Sequence, residues 1–287
     1  MKEFIKGYYD TLFCESRDWN TIVSEALITF GGKTYPNFGQ VVIVAGGAGS
    51  GKGFVIDNLF GITGKRYDVD YLKQEVRLNK EIRKMLCEKY NVDDKIFEMS
   101  TPEDVSAVHE LMKLSGLKQK YEANIFTMAK NAPEDKKPNL IFDKTCSSIT
   151  DILDITTTCI NHGYKPENIH LVWVLNDVET ALKQNATRAR KVNPMLLQTL
   201  HAEVATTMKK FLANYNDWPN KLEGDIWIVF NKQGVDSKVK KLKNGKFSGN
   251  ENFYIEDANY YKIKNAGDNN ILITKAVADK INSYIPA

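Results

Sequence analysis

Apolar residues along this chain follow two alternating rhythms. Val41-Val42-Ile43-Val44-Ala45 is a continuous, mostly β-branched run bounded by glycines, the pattern of a strand buried on both faces of a parallel sheet. Further strands are predicted at Arg66 to Val69, Asn139 to Phe142, His170 to Leu175 and Asp225 to Phe230. Helical spacing fills the intervals, at about 71–90, 103–130, 149–163 and 177–216, and a last helix at about 272–284. Such alternation predicts an α/β architecture, a parallel sheet flanked by helices on both faces. Ahead of it, residues 3–30 carry apolar residues at helical spacing, broken near Arg17 and Asp18. They predict two helices packed outside the main domain, and the Gly- and Pro-rich 31–39 reads as a loop. The organisation expected is one domain over 1–287: a helical extension at 1–39, a core at 40–231, and a hairpin and helix at 232–287.

With 287 residues and 43% hydrophobic content, the chain is long enough to bury a sizeable core. A net charge of +3 gives no strong field for a polyanionic partner. Lys238, Lys240, Lys241, Lys243 and Lys246 form a basic run with Asn244-Gly245 inside it. That dipeptide predicts a hairpin turn, and the run leans weakly toward nucleic acid as a partner. Cys14, Cys87, Cys146 and Cys159 are widely spaced and form no metal-ligand pattern. His109, His162, His170 and His201 form no cluster, and each reads as structural; Trp173 and Trp227, inside strands, read as core. No apolar run has the length of a membrane span, and the opening residues lack a signal-peptide core, so a soluble, cytoplasmic protein with no membrane partner is expected.

The strongest chemical signal follows the first strand: Gly46-Gly47-Ala48-Gly49-Ser50-Gly51-Lys52-Gly53, then Phe54 and a helical pattern. G-x-x-x-x-G-K between a buried strand and a helix is a phosphate loop. Its glycines let backbone N–H groups face phosphate oxygens, the helix N-terminus adds a positive dipole, and Lys52 supplies a mobile charge. This makes the fold class a P-loop NTPase, nucleotide-kinase-like, with ATP and Mg²⁺ as expected cofactors. Gly53 stands where such loops carry Ser or Thr, and Phe54 brings no hydroxyl either. A metal is then left to phosphates, water and a carboxylate elsewhere.

Ligands of α/β sheets sit beyond the C-terminal strand ends. The second strand leads into Asp68-Val69-Asp70-Tyr71-Leu72-Lys73, where Asp70 is the candidate general base and also a candidate helix N-cap. The third leads into Asp143-Lys144-Thr145, with Asp143 the candidate for orienting Mg²⁺ or binding the acceptor. Lys144 replaces the Glu with which ATP-driven motors activate water, which favours transfer over hydrolysis. Arg188 and Arg190, just before Pro194, suit a lid whose guanidinium groups meet the transferring phosphoryl group.

Together these motifs resemble the P-loop kinases that include zeta toxins and phage-type polynucleotide 5′-kinases, over about residues 40–231. The group's D-x-x-R or D-x-x-K is matched by Asp70 to Lys73, its carboxylate followed by Thr by Asp143 and Thr145, its lid by Arg188, Arg190 and Pro194, and its final Asn by Asn231. The resemblance implies Asp70 as base, Lys52, Arg188 and Arg190 as phosphate stabilisers, Asp143 near metal or substrate, and Lys73 and Thr145 toward the acceptor. It implies a kinase acting on a hydroxyl: a polynucleotide 5′-end, a hydroxymethylated base in DNA, or a nucleotide sugar. A non-catalytic ATP-binding protein is the alternative class. A GTPase is set aside, because Asn231-Lys232-Gln233-Gly234 lacks the carboxylate that reads guanine.

Overall fold

The run Val41–Ala45 (β1) lies at the centre of a six-stranded sheet, as its unbroken burial requires. The computed structural model describes residues 28–31, 36, 38–187, 192–231, 239–247, 250–255 and 259–285. The loop after β1 enters α1 (Lys52–Leu59), then β2 (Lys65–Asp68). Four helices follow before β3 (Leu140–Asp143): α2 (Val69–Leu78), α3 (Lys80–Tyr90), α4 (Pro102–Leu114) and α5 (Leu117–Asn131). Then come α6 (Ile149–Asn161), β4 (Ile169–Asn176), α7 (Val178–Thr187), α8 (Pro194–Ala213) and β5 (Ile226–Asn231). The chain closes with β6 (Val239–Phe247), β7 (Asn250–Ile255), β8 (Asn259–Lys264) and α9 (Lys275–Tyr284).

Strand order is β2-β3-β1-β4-β5-β8, with the first five parallel and β8 antiparallel to β5. Alternation along β1 divides the core. Val41, Ile43 and Ala45 face α5, α6, α8 and α9 through Phe126, Ile155, Met208 and Ile281. Val42 and Val44 face α1 through Val55 and Ile56. A third cluster, around Val76, Leu86, Phe97, Val108 and Met112, gives the helices between β2 and β3 a core of their own. With the phosphate loop at the end of β1, this is the predicted P-loop fold class. No helix among the described residues is long and apolar enough to cross a membrane.

Several boundaries differ from expectation for local reasons. The helix expected over 71–90 is two, because the Asn79 side chain accepts from the N–H groups of Glu81 and Ile82 and starts a new helix. The one expected over 103–130 breaks at Gly116, which adopts φ 74°. The hairpin forms, but its strands pair Phe247 with Asn250, so Asn244-Gly245 lies inside β6 at a register shift rather than at the turn. β8 was not expected at all. Of the N-terminal helices, residues 1–27 lie outside the described residues; Ile28 is not helical but bridges Phe60, and Phe30 packs edge-on to the same ring.

At the N-terminal end of β4, His170 is fully buried. Its Nδ1 accepts the Asp225 N–H at 2.8 Å, so Nε2 carries the proton and donates to Gln40 Oε1 at 2.8 Å. Burial pushes its pKa down to about 4, against the pull of the Asp225 carboxylate and with Lys262 and Lys264 adding to the depression. A folded pKa below the unfolded value means that the unfolded chain binds more protons between them. His170 therefore contributes stability above its ordinary pKa of 6.5 that is lost as pH falls toward 4, on the order of 3 kcal/mol in full. Urea denaturation at pH 7 and at pH 5 should show that loss, with His170→Gln flattening the dependence over this window.

Candidate functional site

Between Ala45 and α1 the chain turns so tightly that two glycines have no substitute. Gly51 sits at φ 85°, and a Cβ there would lie 1.9 Å from Asn231 Nδ2. A Cβ on Gly47 would lie 2.4 Å from the His201 ring. These close neighbours have a purpose. Lys52 Nζ donates to the carbonyls of Gly46 (2.8 Å) and Gly47 (3.3 Å), and His201 Nε2 to that of Ala48 (2.8 Å). Asn176 Nδ2 donates to Gly49 O (3.2 Å) and Asn231 Nδ2 to Ser50 O (3.0 Å). In a trans peptide the N–H points opposite to the C=O. Tying the carbonyls into the protein therefore turns N–H groups that follow them toward the mouth of the loop, where α1 adds its positive end, while the Ser50 N–H closes the turn on Gly47 O at 3.2 Å. Burial holds His201 below its ordinary pKa, consistent with a neutral ring that donates through Nε2. Ser50 Oγ is buried and has no protein partner.

Beside the loop lies a cluster of charge. β2 alternates, with Tyr67 buried in the core on one face and Arg66 and Asp68 on the other. Asp68 is in register with Asp143, the last residue of β3. Arg66 Nη2 is hydrogen-bonded to Asp143 Oδ2 and lies 3.3 Å from Asp68 Oδ2, while Nη1 lies 3.4 Å from Asp57 Oδ1 on α1. Lys52 Nζ is 3.8 Å from the other Asp143 oxygen. Burial opposes the Arg66 charge, but Asp143, Asp68 and Asp57 together hold its pKa above the ordinary value. Burial raises the Asp68 pKa, and the Asp143 charge adds to it.

The cap of α2 is Asp68, which accepts from the Asp70 N–H; the expectation that Asp70 is the cap is corrected, because β2 ends one residue earlier than anticipated. Asp70 lies in the first helical turn with its side chain 53% exposed, 3.2 Å from the buried ammonium of Lys73. His109 is half-buried, its pKa lowered by burial and then by Lys73 and Lys118. Lys144 carries its ammonium over the Tyr67 ring, and its charge reaches Lys118. One side of Asp70 is thus basic. Thr145 follows β3, and its carbonyl accepts the Gly46 N–H at 3.2 Å. Gly53 and Phe54 form the first turn of α1, Phe54 packing on the core of that face.

Arg188 and Arg190 lie outside the described residues. The flanks of their segment are tied: Asn185 Nδ2 donates to Val192 O at 2.6 Å and Asn185 Oδ1 accepts from Val192 N at 2.8 Å. Ala181 of α7 would touch a Cβ on Gly49, and α8 carries His201, so both flanking helices abut the loop.

The arrangement fits a nucleotide triphosphate: tied carbonyls, a helix N-terminus, Lys52 at the mouth and the unpartnered Ser50 hydroxyl. It does not fit a protein-held Mg²⁺. Asp143, expected to orient the ion, has both oxygens facing cations, and Gly53 offers no oxygen. No group of three or more acidic, His or Cys residues suited to a metal occurs among the described residues.

No known family profile matches the chain, and no curated protein matches it significantly. Solved structures do resemble it. One, from the PezAT chromosomal toxin–antitoxin system of Streptococcus pneumoniae, is 11% identical with a TM-score of 0.38 over 69% of each chain. Another, AvrRxo1-ORF1:-ORF2 with ATP, is 12% identical with a TM-score of 0.39 over 77% of this chain and 61% of that one. The AvrRxo1-ORF1:AvrRxo1-ORF2 structure with sulphate ions is 11% identical with a TM-score of 0.42, over 87% and 72%. Likeness of this order assigns no role to any residue here.

Sequence reasoning passed over Arg66, Asp68 and Asn176, and took His201 as merely structural. The signal for the first two was available, since alternation from buried Tyr67 sends both to the α1 face. The two exchangeable-looking glycines separate the local constraints. Gly51→Ala should lower unfolding free energy by about 2 kcal/mol or more, from left-handed strain plus the clash with Asn231. Gly53→Ala, whose Cβ makes an ordinary 3.4 Å contact with Arg66, should be neutral or stabilising by up to about 1 kcal/mol in the same denaturation assay.

Proposed function

We propose that this chain is an ATP-dependent kinase that transfers the γ-phosphate to a hydroxyl, with Asp70 as general base. The observation that carries the reading is the loop itself, whose carbonyls from Gly46 to Ser50 all accept from side chains, beside the carboxylate-bearing ends of β2 and β3. Lys52 would exchange its bonds to the loop carbonyls for β- and γ-phosphate oxygens. Of the three neighbouring carboxylates, Asp68 and Asp143 are engaged by Arg66, whereas Asp70 is more than half exposed. Asp70, the most exposed of the three, is therefore the group placed to meet an acceptor hydroxyl and take its proton, with Lys73 orienting it. Arg188 and Arg190 would close over the transferring group as a lid. Mg²⁺ would arrive with the nucleotide, held by phosphates and water, and screen their charge.

The ammonium groups of Lys73, Lys118 and Lys144 on the side of Asp70 favour an anionic acceptor. A polynucleotide 5′-hydroxyl or a hydroxymethylated base in DNA meets that chemistry. A UDP-sugar, anionic through its diphosphate, meets the same chemistry as a second reading. A protein partner that covers the nucleotide site belongs to the same reading.

The test is transfer of labelled γ-phosphate from ATP to 5′-hydroxyl oligonucleotides, hydroxymethyl-base DNA and UDP-sugars. Lys52→Ala should abolish the label in whichever pool accepts it. Asp70→Asn should lower turnover by about 10²- to 10⁴-fold with ATP affinity little changed. Wild-type turnover in Asp70→Asn would remove Asp70 as base. ATP binding with every pool blank would favour a non-catalytic ATP-binding protein.

A further inference from the structure

Gly53 removes the hydroxyl that would share a metal with the nucleotide, and the position is not left empty. A Cβ built on Gly53 lies 3.4 Å from Arg66 Nη2, so the guanidinium occupies the neighbourhood that a hydroxyl on residue 53 would enter. The same Nη2 is hydrogen-bonded to Asp143 Oδ2. Arg66 thus stands between residue 53 and Asp143, the two protein groups expected to flank a phosphate-bound divalent ion. Asp68 and Asp57 complete its surroundings, and Lys52 faces the second oxygen of Asp143. An ion approaching Asp143 finds both its oxygens already facing cations, Arg66 and Lys52.

Arg66 is not fully enclosed. Its side chain is 30% exposed, although its Nε is buried with no protein partner. A guanidinium carries five N–H donors in a planar fork that matches phosphate oxygens. A purely structural arginine tying β2 to α1 would not need to reach this edge.

We propose that Arg66 is the resident cation of the site: it stands in for the missing hydroxyl and its metal, contacts the nucleotide phosphates, and makes ATP binding largely independent of divalent ions. The proposal rests on the nucleotide-binding reading above, and the test separates the two.

ATP dissociation constants would be measured by calorimetric titration with Mg²⁺ and with excess EDTA, for wild type, Arg66→Gln, Arg66→Lys and Gly53→Ser. In wild type, chelation should weaken binding by less than about tenfold. Arg66→Gln should weaken metal-free binding about tenfold or more, with a smaller deficit in Mg²⁺, and Arg66→Lys should recover part of the loss. Gly53→Ser, which crowds Nη2 and restores a hydroxyl, should raise the dependence on Mg²⁺, and it carries the test if Arg66→Gln does not fold. Wild-type binding that chelation weakens by about tenfold or more would overturn the proposal while leaving nucleotide binding intact. So would an Arg66→Gln deficit equal in both conditions, which marks a structural role alone. Failure of wild type to bind ATP in either condition would overturn the nucleotide reading, and the proposal with it.

Discussion

The carbonyl oxygens of Gly46 to Ser50 can neither be left bare nor face an anion, and the architecture around them follows from where they are tied. Their donors come from α1, α8 and the ends of β4 and β5, four places far apart in sequence. Parallel pairing makes them neighbours. Asn176 and Asn231 are register partners at the C-terminal ends of adjacent strands, so one level of the sheet delivers both amides to successive loop carbonyls. His201 reaches Ala48 from the other side because α8 packs against the core face of β1. The loop conformation is thus held by the sheet and one long helix rather than by its glycines, which only permit it.

The two ends of the sheet treat polar groups differently. At the N-terminal edge, His170, Asp225 and Lys264 are spent within the protein. The Asp225 oxygens accept from Gly31 and Ala266, and Lys264 Nζ donates to the carbonyls of Glu223, Gly224 and Asn265. Such a knot joins elements and binds nothing. At the C-terminal edge, Ser50 Oγ, Asn176 Oδ1 and Arg66 Nε are buried without protein partners. Buried polar atoms are costly to leave unpaired, and three of the seven such atoms among the described residues gather around this loop, as the proposed nucleotide site requires.

How much of this was legible follows from the same physics. Buried parallel strands are continuous apolar runs, so β1 was read to the residue and β2 to β5 within one residue at each end. An edge strand is half wet, and Asn259 to Lys264 reads as polar chain, so β8 was invisible. Helix breaks at Asn79 and Gly116 hide inside otherwise good helical spacing. The loop and Lys52 were legible because their spacing is fixed by the local turn, whereas Asp70 and Asp143 were singled out only by their places after β2 and at the end of β3. Alternation from Tyr67 could place Arg66 and Asp68 on the α1 face, but that they meet Asp143 follows only from the pairing of β2 with β3, where Asp68 lies opposite Asp143. Asn176 was likewise only a flanking residue until β4 and β5 were aligned.

The groups proposed to meet phosphate and those proposed to meet the acceptor rest on different cores. Lys52, Arg66 and Asp143 are held by the sheet and α1, whereas Asp70 and Lys73 ride on α2, whose Val76 belongs to the separate core of the helices between β2 and β3. Val69, at the junction, packs against both that core and the core of the sheet. Changes within the inserted helices can therefore reshape what meets Asp70 without disturbing the loop, which is how one phosphate-binding scaffold serves different acceptors. The reverse does not hold. Asp68 both caps α2 and pairs with Arg66, so the charge balance beside the loop sets the angle at which Asp70 is presented.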